Sequence, residues 1–402
     1  MRREDFVSDR AGTLVRGIGS QGSYDAFVPR PLPPEIVWTT PLSRQLERAT
    51  LAVGRLAGIG DRLSNPHLLI RPFMRREAAL SSRIEGTQAS LSDLFLFEAS
   101  PASPAQASDV REVANYVEAL DYALKQTTLP VSLRLIRQMH ARLMEGVRGQ
   151  EQAPGEFRRD QNWIGPAGCR LPDALFVPPP PPQMLEALDA LEEYLHGDDL
   201  PALLRLAAVH YQFEAIHPFR DGNGRVGRLL ISLLLCEYRL MQQPLLYLSA
   251  YFESRRREYY DRLLAVSQQG AWEDWLAFFL EGVRDQAEDA IARALRLDEL
   301  RRDYYARLQT ARSSSLVLKL VDDLFASPYI TVARAQELLG VTHRAASQSI
   351  AKLLAAGIVT EVTGRQRGRV YFAAEVLRAV EASLSPPGGS PGMPGTRGSP
   401  GV

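Results

Sequence analysis

Over most of the chain apolar residues recur at spacings of three and four rather than two, which predicts a mainly helical protein. Leu42, Leu46, Leu51 and Leu56 mark a first helix between Pro41 and Ile59. Pro72 suits the first turn of a second, which runs to Ile84 and is stopped by Gly86. The segment Glu98 to Ser108 is small, polar and proline-bearing and reads as a boundary. A helix then opens near Asp109, with Val113, Tyr116, Val117 and Leu120 on one face, and others span Ser132 to Gly146 and Gln183 to His196. Between those two lie Gly155, Trp163, Gly165 and the prolines Pro178 to Pro182, a stretch that is not helical. Leu203 to Ile216 and Arg225 to Tyr238 are strongly apolar and flank a glycine-rich turn, so that turn sits between two core helices. Helices follow at Glu253 to Gln268 and Trp272 to Leu308. Ser315 to Phe325, Val332 to Leu339 and His343 to Ala355 then give three short helices, and Val359 to Tyr371 a hairpin: a winged-helix pattern.

Composition narrows the function classes. With 402 residues and 45% hydrophobic content the chain supports two or three cored units and is not disordered overall. Lys plus Arg and Asp plus Glu balance at 47 each, so no whole-chain charge points to nucleic acid or an anionic membrane, and partners have to be argued from local patches. Cys169 and Cys236 are far apart and lack metal-ligand spacing, which argues against a disulfide framework or a zinc site. The start of the chain has no apolar signal region and no run reaches the ~18–20 apolar residues of a membrane span. The expected location is therefore a reducing cytoplasm, and the preference for Arg over Lys fits a GC-rich bacterial genome.

The chemistry concentrates in His217-Pro218-Phe219-Arg220-Asp221-Gly222-Asn223-Gly224-Arg225-Val226-Gly227-Arg228. Gly222 and Gly224 permit positive φ and close backbone approach, so successive N–H groups can line an anion site to which the following helix adds its positive dipole end. Arg225 and Arg228, three apart, offer planar forks to phosphoryl oxygens. Asp221 beside an anion site implies a bridging hard cation such as Mg²⁺. His217 has the ordinary pKa of a general base near neutral pH, and Phe219 is expected to anchor the loop in the core.

This twelve-residue run resembles the Fic family signature HxFx(D/E)GNGRxxR with every fixed position matched. The resemblance extends from about Val37 to Leu280 through Ser81-Ser82-Arg83-Ile84-Glu85-Gly86, Gly155-Glu156-Phe157-Arg158, Val177-Pro178-Pro179 and Leu248-Ser249-Ala250-Tyr251-Phe252. It implies transfer of AMP from ATP to a Ser, Thr or Tyr hydroxyl of a protein. His217 would be the base, Asp221 the Mg²⁺ ligand, and Gly222, Asn223, Gly224, Arg225 and Arg228 the phosphate cradle. A β-hairpin flap holding the target's backbone would span roughly Ile164 to Phe176. Ser81, Glu85 and Gly86 match the inhibitory pattern (S/T)xxxE(G/N), whose glutamate pairs with the last signature arginine, here Arg228. Glu85 stands at a helix C-terminus, where the dipole disfavours negative charge by roughly 0.3–1 kcal/mol, so an opposing cation would account for its placement.

The resemblance thus implies an all-α fold, a mainly helical Fic core with a β-hairpin flap, joined to a C-terminal winged helix-turn-helix domain. The expected division is a mostly flexible N-terminus at 1–35, an N-terminal helical region with the inhibitory motif at 36–107, a catalytic domain at 108–308, a winged helix at 312–380 and a disordered tail at 385–402. Self-modification is an expected side reaction. AMP removal by the same site is the alternative direction, and phosphoryl or phosphocholine transfer fits the DGNG form of the motif less well. From a different class, a nucleotide-sensing DNA-binding regulator would use Arg344, Gln348 and Lys352 in a groove and Arg365, Arg367 and Arg369 on the wing, although such modules also serve protein contacts or homodimers. An intact His217 favours the enzyme, since sensing needs the cradle but no base.

Overall fold

The computed structural model describes residues 1–19, 22–62, 67–99, 107–126, 130–309 and 315–382. The expected tail at 385–402 and most of the predicted boundary loop, 100–106, lie outside the described residues. The chain opens with an antiparallel hairpin, β1 (Gly12–Gly19) on β2 (Gly22–Pro29). This corrects the expectation of a mostly flexible N-terminus over residues 1–35. Ala26 and Phe27 in β2 are fully buried, and their partners lie some 150 residues downstream around Phe176 and Val177, where local composition gives no sign of them.

The helical body comprises α1 (Thr40–Arg62), α2 (His67–Ile84), α3 (Leu91–Ala99), α4 (Ala107–Lys125), α5 (Leu133–Leu143), α6 (Pro181–Leu195), α7 (Ala202–Ile216) and α8 (Asn223–Glu237). It continues with α9 (Ser249–Ser254), α10 (Arg256–Gln269) and α11 (Trp272–Gln309). Pro72 lies inside α2 rather than in its first turn, the helix having started at His67. The single helix expected at Glu253 to Gln268 is broken at Arg255, whose φ of −121° and ψ of 35° leave the helical region. Leu42 and Leu56 of α1 are buried but Leu51 is 62% exposed, because its five-residue step from Leu46 leaves the apolar face. Helices α7 and α8 are apolar nearly all round and buried on all sides, the pattern of central rather than surface helices. Each fully buried Leu or Phe there contributes roughly 1.5–3 kcal/mol, so the turn between them rests on the most stable part of the molecule.

The segment from Ile164 to Phe176 closes on itself through one antiparallel bridge between those two residues, with a short 3-10 turn at Leu171–Asp173. This corrects the expected β-hairpin flap to a single bridge. At the C-terminal end follow α12 (Ser315–Ala326), β3 (Tyr329–Thr331), α13 (Val332–Leu339), α14 (His343–Ala355), β4 (Thr360–Glu361), β5 (Val370–Phe372) and α15 (Ala374–Glu381), the strands forming a sheet in the order β3-β5-β4. Thr331 and Thr342 cap α13 and α14 by accepting from the N–H groups of Arg334 and Ala345. This unit packs against α2, α3 and α11, with Ser92 Oγ 2.9 Å from Tyr329 Oη and the buried Arg293 donating to the Val380 carbonyl. Among the described residues no helix is long and apolar enough to cross a membrane, and Cys169 and Cys236 are both free.

Candidate active site

Helix α7 ends because His217 takes the left-handed conformation, φ 49° and ψ 61°, which a non-glycine residue adopts at a cost of about 1–3 kcal/mol unless its surroundings hold it. Arg158 supplies that hold. Its Nε donates to the His217 carbonyl at 3.0 Å and its Nη2 to Ile216 at 3.4 Å, while its backbone N–H reaches Pro218 at 2.9 Å. A cation thus satisfies carbonyls that the helix end leaves unpaired. Burial lowers the Arg158 pKa to about 10, which keeps it charged at neutral pH. Asn162 Nδ2 adds a 3.0 Å bond to the Phe219 carbonyl.

Asn223 closes the turn: its Oδ1 accepts from Phe219 N–H and its Nδ2 donates to Phe219 C=O, both at 2.8 Å. Both ends of the Asn223 amide are thus engaged inside the loop, while its backbone N–H belongs to the first turn of α8. Asp221 Oδ1 accepts from Gly222 N–H at 2.6 Å, and Gly222, at φ 77°, is the N-cap of α8. The first-turn N–H groups of α8 have no intrahelical acceptors and converge as an anion site. Phe219 is fully buried, as expected, and stacks on His140 at 3.8 Å.

His140 supports the loop from α5. Its Nδ1 accepts from Gly155 N–H at 2.8 Å, so the ring proton sits on Nε2, which donates to the Asp221 carbonyl at 3.0 Å. Burial lowers its pKa to about 4, so the ring is neutral in that tautomer. His217 is neutral as well: burial, reinforced by Arg158, takes it to about 4, and a ring nitrogen keeps a free lone pair at neutral pH.

Arg225 and Arg228 leave the helix toward different neighbours. Arg225 is buried, with Nη1 3.5 Å from Glu112 Oε2 and Nη2 3.7 Å from Asp221 Oδ1. Arg228, 2% exposed, donates from Nε to Ser81 Oγ at 2.8 Å and from Nη2 to the Ser81 carbonyl at 3.1 Å and Glu85 Oε1 at 2.6 Å. Burial alone would lower the Arg228 pKa, but the Glu85 carboxylate together with Tyr259, Tyr260 and Glu214 raises it above its ordinary value. Burial likewise pushes Glu85 up, and Arg228, with help from Arg225 and Arg256, offsets this to leave its carboxyl below the usual range. The Glu85 carboxylate lies on the first turn of α8, where any Cβ at Gly224 would collide with Oε1. Gly86, at φ 97°, turns the chain away at once, and Thr87 Oγ1 is tied to Glu112 Oε2 at 2.8 Å.

Glu77, Glu112, His140 and Glu214 escape the sequence reading. The carboxyl of Glu77 accepts from Ser249 N–H at 3.2 Å and Tyr116 Oη at 3.2 Å, and burial raises its pKa. Burial takes Glu214 up to about 7, and its Oε1 has no partner among the described residues. No local pattern marks these residues as belonging to the site; each reaches it only through helix packing. A cavity of about 510 Å³ opens here, lined at one end by Glu85, Glu214, His217, Gly224 and Arg228 and at the other by apolar residues of 163–176 and α10.

Comparisons with known proteins bear on this arrangement. The profile described as Fic/DOC family N-terminal matches residues 43–125, and that described as Fic/DOC family matches residues 130–235. The chain is 33% identical over 130 residues to Protein adenylyltransferase Fic of Drosophila virilis, covering 30% of this chain and 24% of that protein. It is 31% identical over 130 residues to its Drosophila erecta counterpart, again 30% of this chain and 24% of the relative. The match thus spans about a quarter of the length of these curated relatives. Among solved structures, a Fic family protein from Desulfovibrio desulfuricans G20 superposes with a TM-score of 0.55 at 19% identity, over 85% of this chain and 98% of that one, which shows a shared fold. Two adjoining stretches of the chain thus match Fic/DOC family domains, the N-terminal match holding Glu85 and the second holding the turn from His217 to Arg228.

Proposed function

We propose that the chain is a protein adenylyltransferase that moves AMP from ATP to a Ser, Thr or Tyr hydroxyl of a protein and is held off by its own helix α2. The observation that carries this reading is the 2.6 Å contact between Glu85 and Arg228 on the first turn of α8, beside a neutral His217. In the active state Arg228 would grip the γ-phosphate, using its buried and unpartnered Nη1, while the α8 N–H groups take the inner phosphates. His217 takes the proton of the target hydroxyl, the oxygen forms a bond to the α-phosphorus, and the bond from that phosphorus to the bridging oxygen breaks to release pyrophosphate. With Glu85 seated on the same turn, a carboxylate occupies the anion site and the triphosphate is denied the in-line pose.

A divalent cation fits Asp221. Its side chain is 44% exposed beside the anion site, and Mg²⁺ characteristically takes one or two carboxylates plus substrate phosphates rather than a protein cage. Among the described residues no group of three potential ligands exists, in keeping with that mode of binding. The ion would supply charge neutralisation at the phosphates.

The test is transfer of label from α-labelled ATP with Mg²⁺ to protein, comparing the unmodified chain, Glu85→Gly, and Glu85→Gly with His217→Ala. Labelling by Glu85→Gly well above the unmodified chain, abolished in the double variant, supports the reading. A Glu85→Gly chain that binds ATP and labels nothing overturns it.

A second reading concerns the C-terminal unit, whose helices and short sheet fit a winged helix that binds duplex DNA through α14 and the β4–β5 turn. What favours it is charge. Arg344 on α14 and Arg365, Arg367 and Arg369 on the turn are exposed, and among the described residues none of them forms an ion pair. Duplex binding that weakens with salt and with Arg344→Ala would support this reading; no binding at low salt would remove it.

A further inference from the structure

The segment 164–176 walls the cavity but is poorly supported from within. Its one bridge consists of Ile164 N–H to Phe176 C=O at 2.8 Å and Phe176 N–H to Ile164 C=O at 3.1 Å. Beyond the bridge the segment holds short-range turn bonds, Leu175 N–H to Ile164 C=O at 2.9 Å, Cys169 N–H to Pro166 C=O at 3.0 Å, Asp173 N–H to Arg170 C=O at 2.9 Å and Ala174 N–H to Leu171 C=O at 3.2 Å, and such local bonds do not by themselves fix where the segment stands over the cavity. The support arrives from the N-terminus. Phe27 N–H of β2 donates to Val177 C=O at 2.8 Å, directly beyond the bridge, and the Phe27 ring packs on Phe176 at 5.7 Å. On the opposite face of β2, the buried Ala26 forms a small apolar cluster with Leu171, Ala174 and Val177. Tyr24 Oη reaches Gln161 Oε1 at 3.1 Å, and Gln161 holds the Pro178 carbonyl at 2.9 Å, so both entry and exit of the segment are tied to one strand.

The hairpin is in turn anchored to the walls of the site. Gln212 of α7 donates to the Arg30 carbonyl at 2.9 Å, and Arg10 holds Gly270 C=O at 2.8 Å and Glu273 Oε1 at 2.7 Å, at the junction of α10 and α11. One strand pair therefore connects the helix that presents His217 to the wall that faces it. Ile164 and Leu175 turn apolar side chains outward at the mouth, 37% and 59% exposed, where an incoming acceptor segment has to pass.

We infer that the N-terminal hairpin β1–β2 is a positioning element for the protein acceptor: through Ala26, Phe27 and Tyr24 it sets the height of the 164–176 wall above His217. The inference rests on the adenylyltransferase reading for its functional consequence, but its structural part stands separately. Nucleotide contacts at Gly224 and Arg228 come from α8 and do not depend on the hairpin. A loosened hairpin therefore costs acceptor transfer and spares ATP binding.

The experiment uses the full chain carrying Glu85→Gly, with Ala26→Glu, Tyr24→Phe or Ile18→Glu added, Ile18 being 90% exposed at the hairpin end. Three quantities are read: ATP affinity by calorimetry, labelling of protein from α-labelled ATP, and hydrogen exchange at the Ile164 and Phe176 amides. Ala26→Glu is expected to speed exchange at both amides and to cut labelling on the order of tenfold to a hundredfold, as misplacement of a reacting group by about 1 Å does, with ATP affinity unchanged. Tyr24→Phe should move exchange and labelling in the same direction by less, and Ile18→Glu should move neither. Unchanged exchange in both Ala26→Glu and Tyr24→Phe overturns the inference. A parallel loss of ATP affinity also overturns it, since the hairpin would then support the whole cavity. Should Ala26→Glu fail to fold, Tyr24→Phe decides alone. If the Glu85→Gly parent labels nothing, the adenylyltransferase reading fails, and the exchange data still decide whether the hairpin holds the wall.

Discussion

Two sets of cations in this chain stand in opposite surroundings. Arg225 and Arg228 are 3% and 2% exposed, and each faces a carboxylate supplied by another helix, Glu112 from α4 and Glu85 from the end of α2. Arg344, Arg365, Arg367 and Arg369 are exposed and, among the described residues, without ion-pair partners. A buried guanidinium has lost its water and depends on the acceptors around it, so a ligand that takes the Nη2 edge of Arg228 competes with Glu85. An exposed one keeps its water and is screened by salt, so a ligand there gains through many weak contacts. On the proposed reading, the first site is a latch with two alternative anions and the second an open electrostatic surface.

The largest test of the contrast is at the base beside the latch. In a Glu85→Gly background, His217→Ala should lower transfer of label by about 10²–10⁴-fold while ATP still binds. Opening the latch comes next: Glu85→Gly should raise transfer by roughly 5–150-fold, the span of a coupling of about 1–3 kcal/mol. Asn223→Ala removes both bonds to Phe219 and leaves the buried Phe219 N–H unpaired, the carbonyl still held by Asn162, so thermal unfolding should report a loss of about 1–3 kcal/mol. At the open surface, Arg344→Ala should reduce the salt slope of duplex binding by about 1 and weaken affinity only modestly, as expected for one phosphate contact.

Acidity sharpens the comparison with the smallest effect. The Glu85 carboxyl is held below its ordinary 4.5, so folding binds fewer protons there than the unfolded chain does. Its stabilising share is therefore complete above that ordinary value and lost as the pH falls through the depressed one. Chemical denaturation of the unmodified chain and Glu85→Gln should differ at neutral pH and converge on strong acidification. For His217, at about 4, kcat/KM of Glu85→Gly should show no acid limb near 6.5; a limb there would mean that the ring is more solvated than its burial implies.

Much of the site was legible because its groups are contiguous. His217, Asp221, the two glycines and the two arginines fall within twelve residues, and their chemistry follows from residue type and from the helix start. The helices were legible from apolar spacing, and α13 and α14 have the bounds that pattern predicted. The support of the site was not legible. His140 fixes the Asp221 carbonyl from 81 residues away and Arg158 caps the His217 carbonyl from 59, and neither position carries a local signature of that task. The bonds that the Asn223 side chain makes to Phe219 were not legible for a related reason. Its amide suits a phosphate and a loop backbone equally well, and only the φ/ψ path of 217–222 selects the second.

By itself the sequence determined most of the helices, though not α3, α15 or the break at Arg255, and which residues bring a base, a carboxylate and an anion-binding turn together, because those properties depend on neighbours within a few positions. Tertiary structure alone decided what holds the left-handed His217, which carboxylate faces Arg225 from another helix, and how a glycine-rich N-terminal hairpin comes to prop the wall of the cavity. Those outcomes depend on burial and on groups brought together from tens to more than a hundred residues apart, and both arise only when the helices pack.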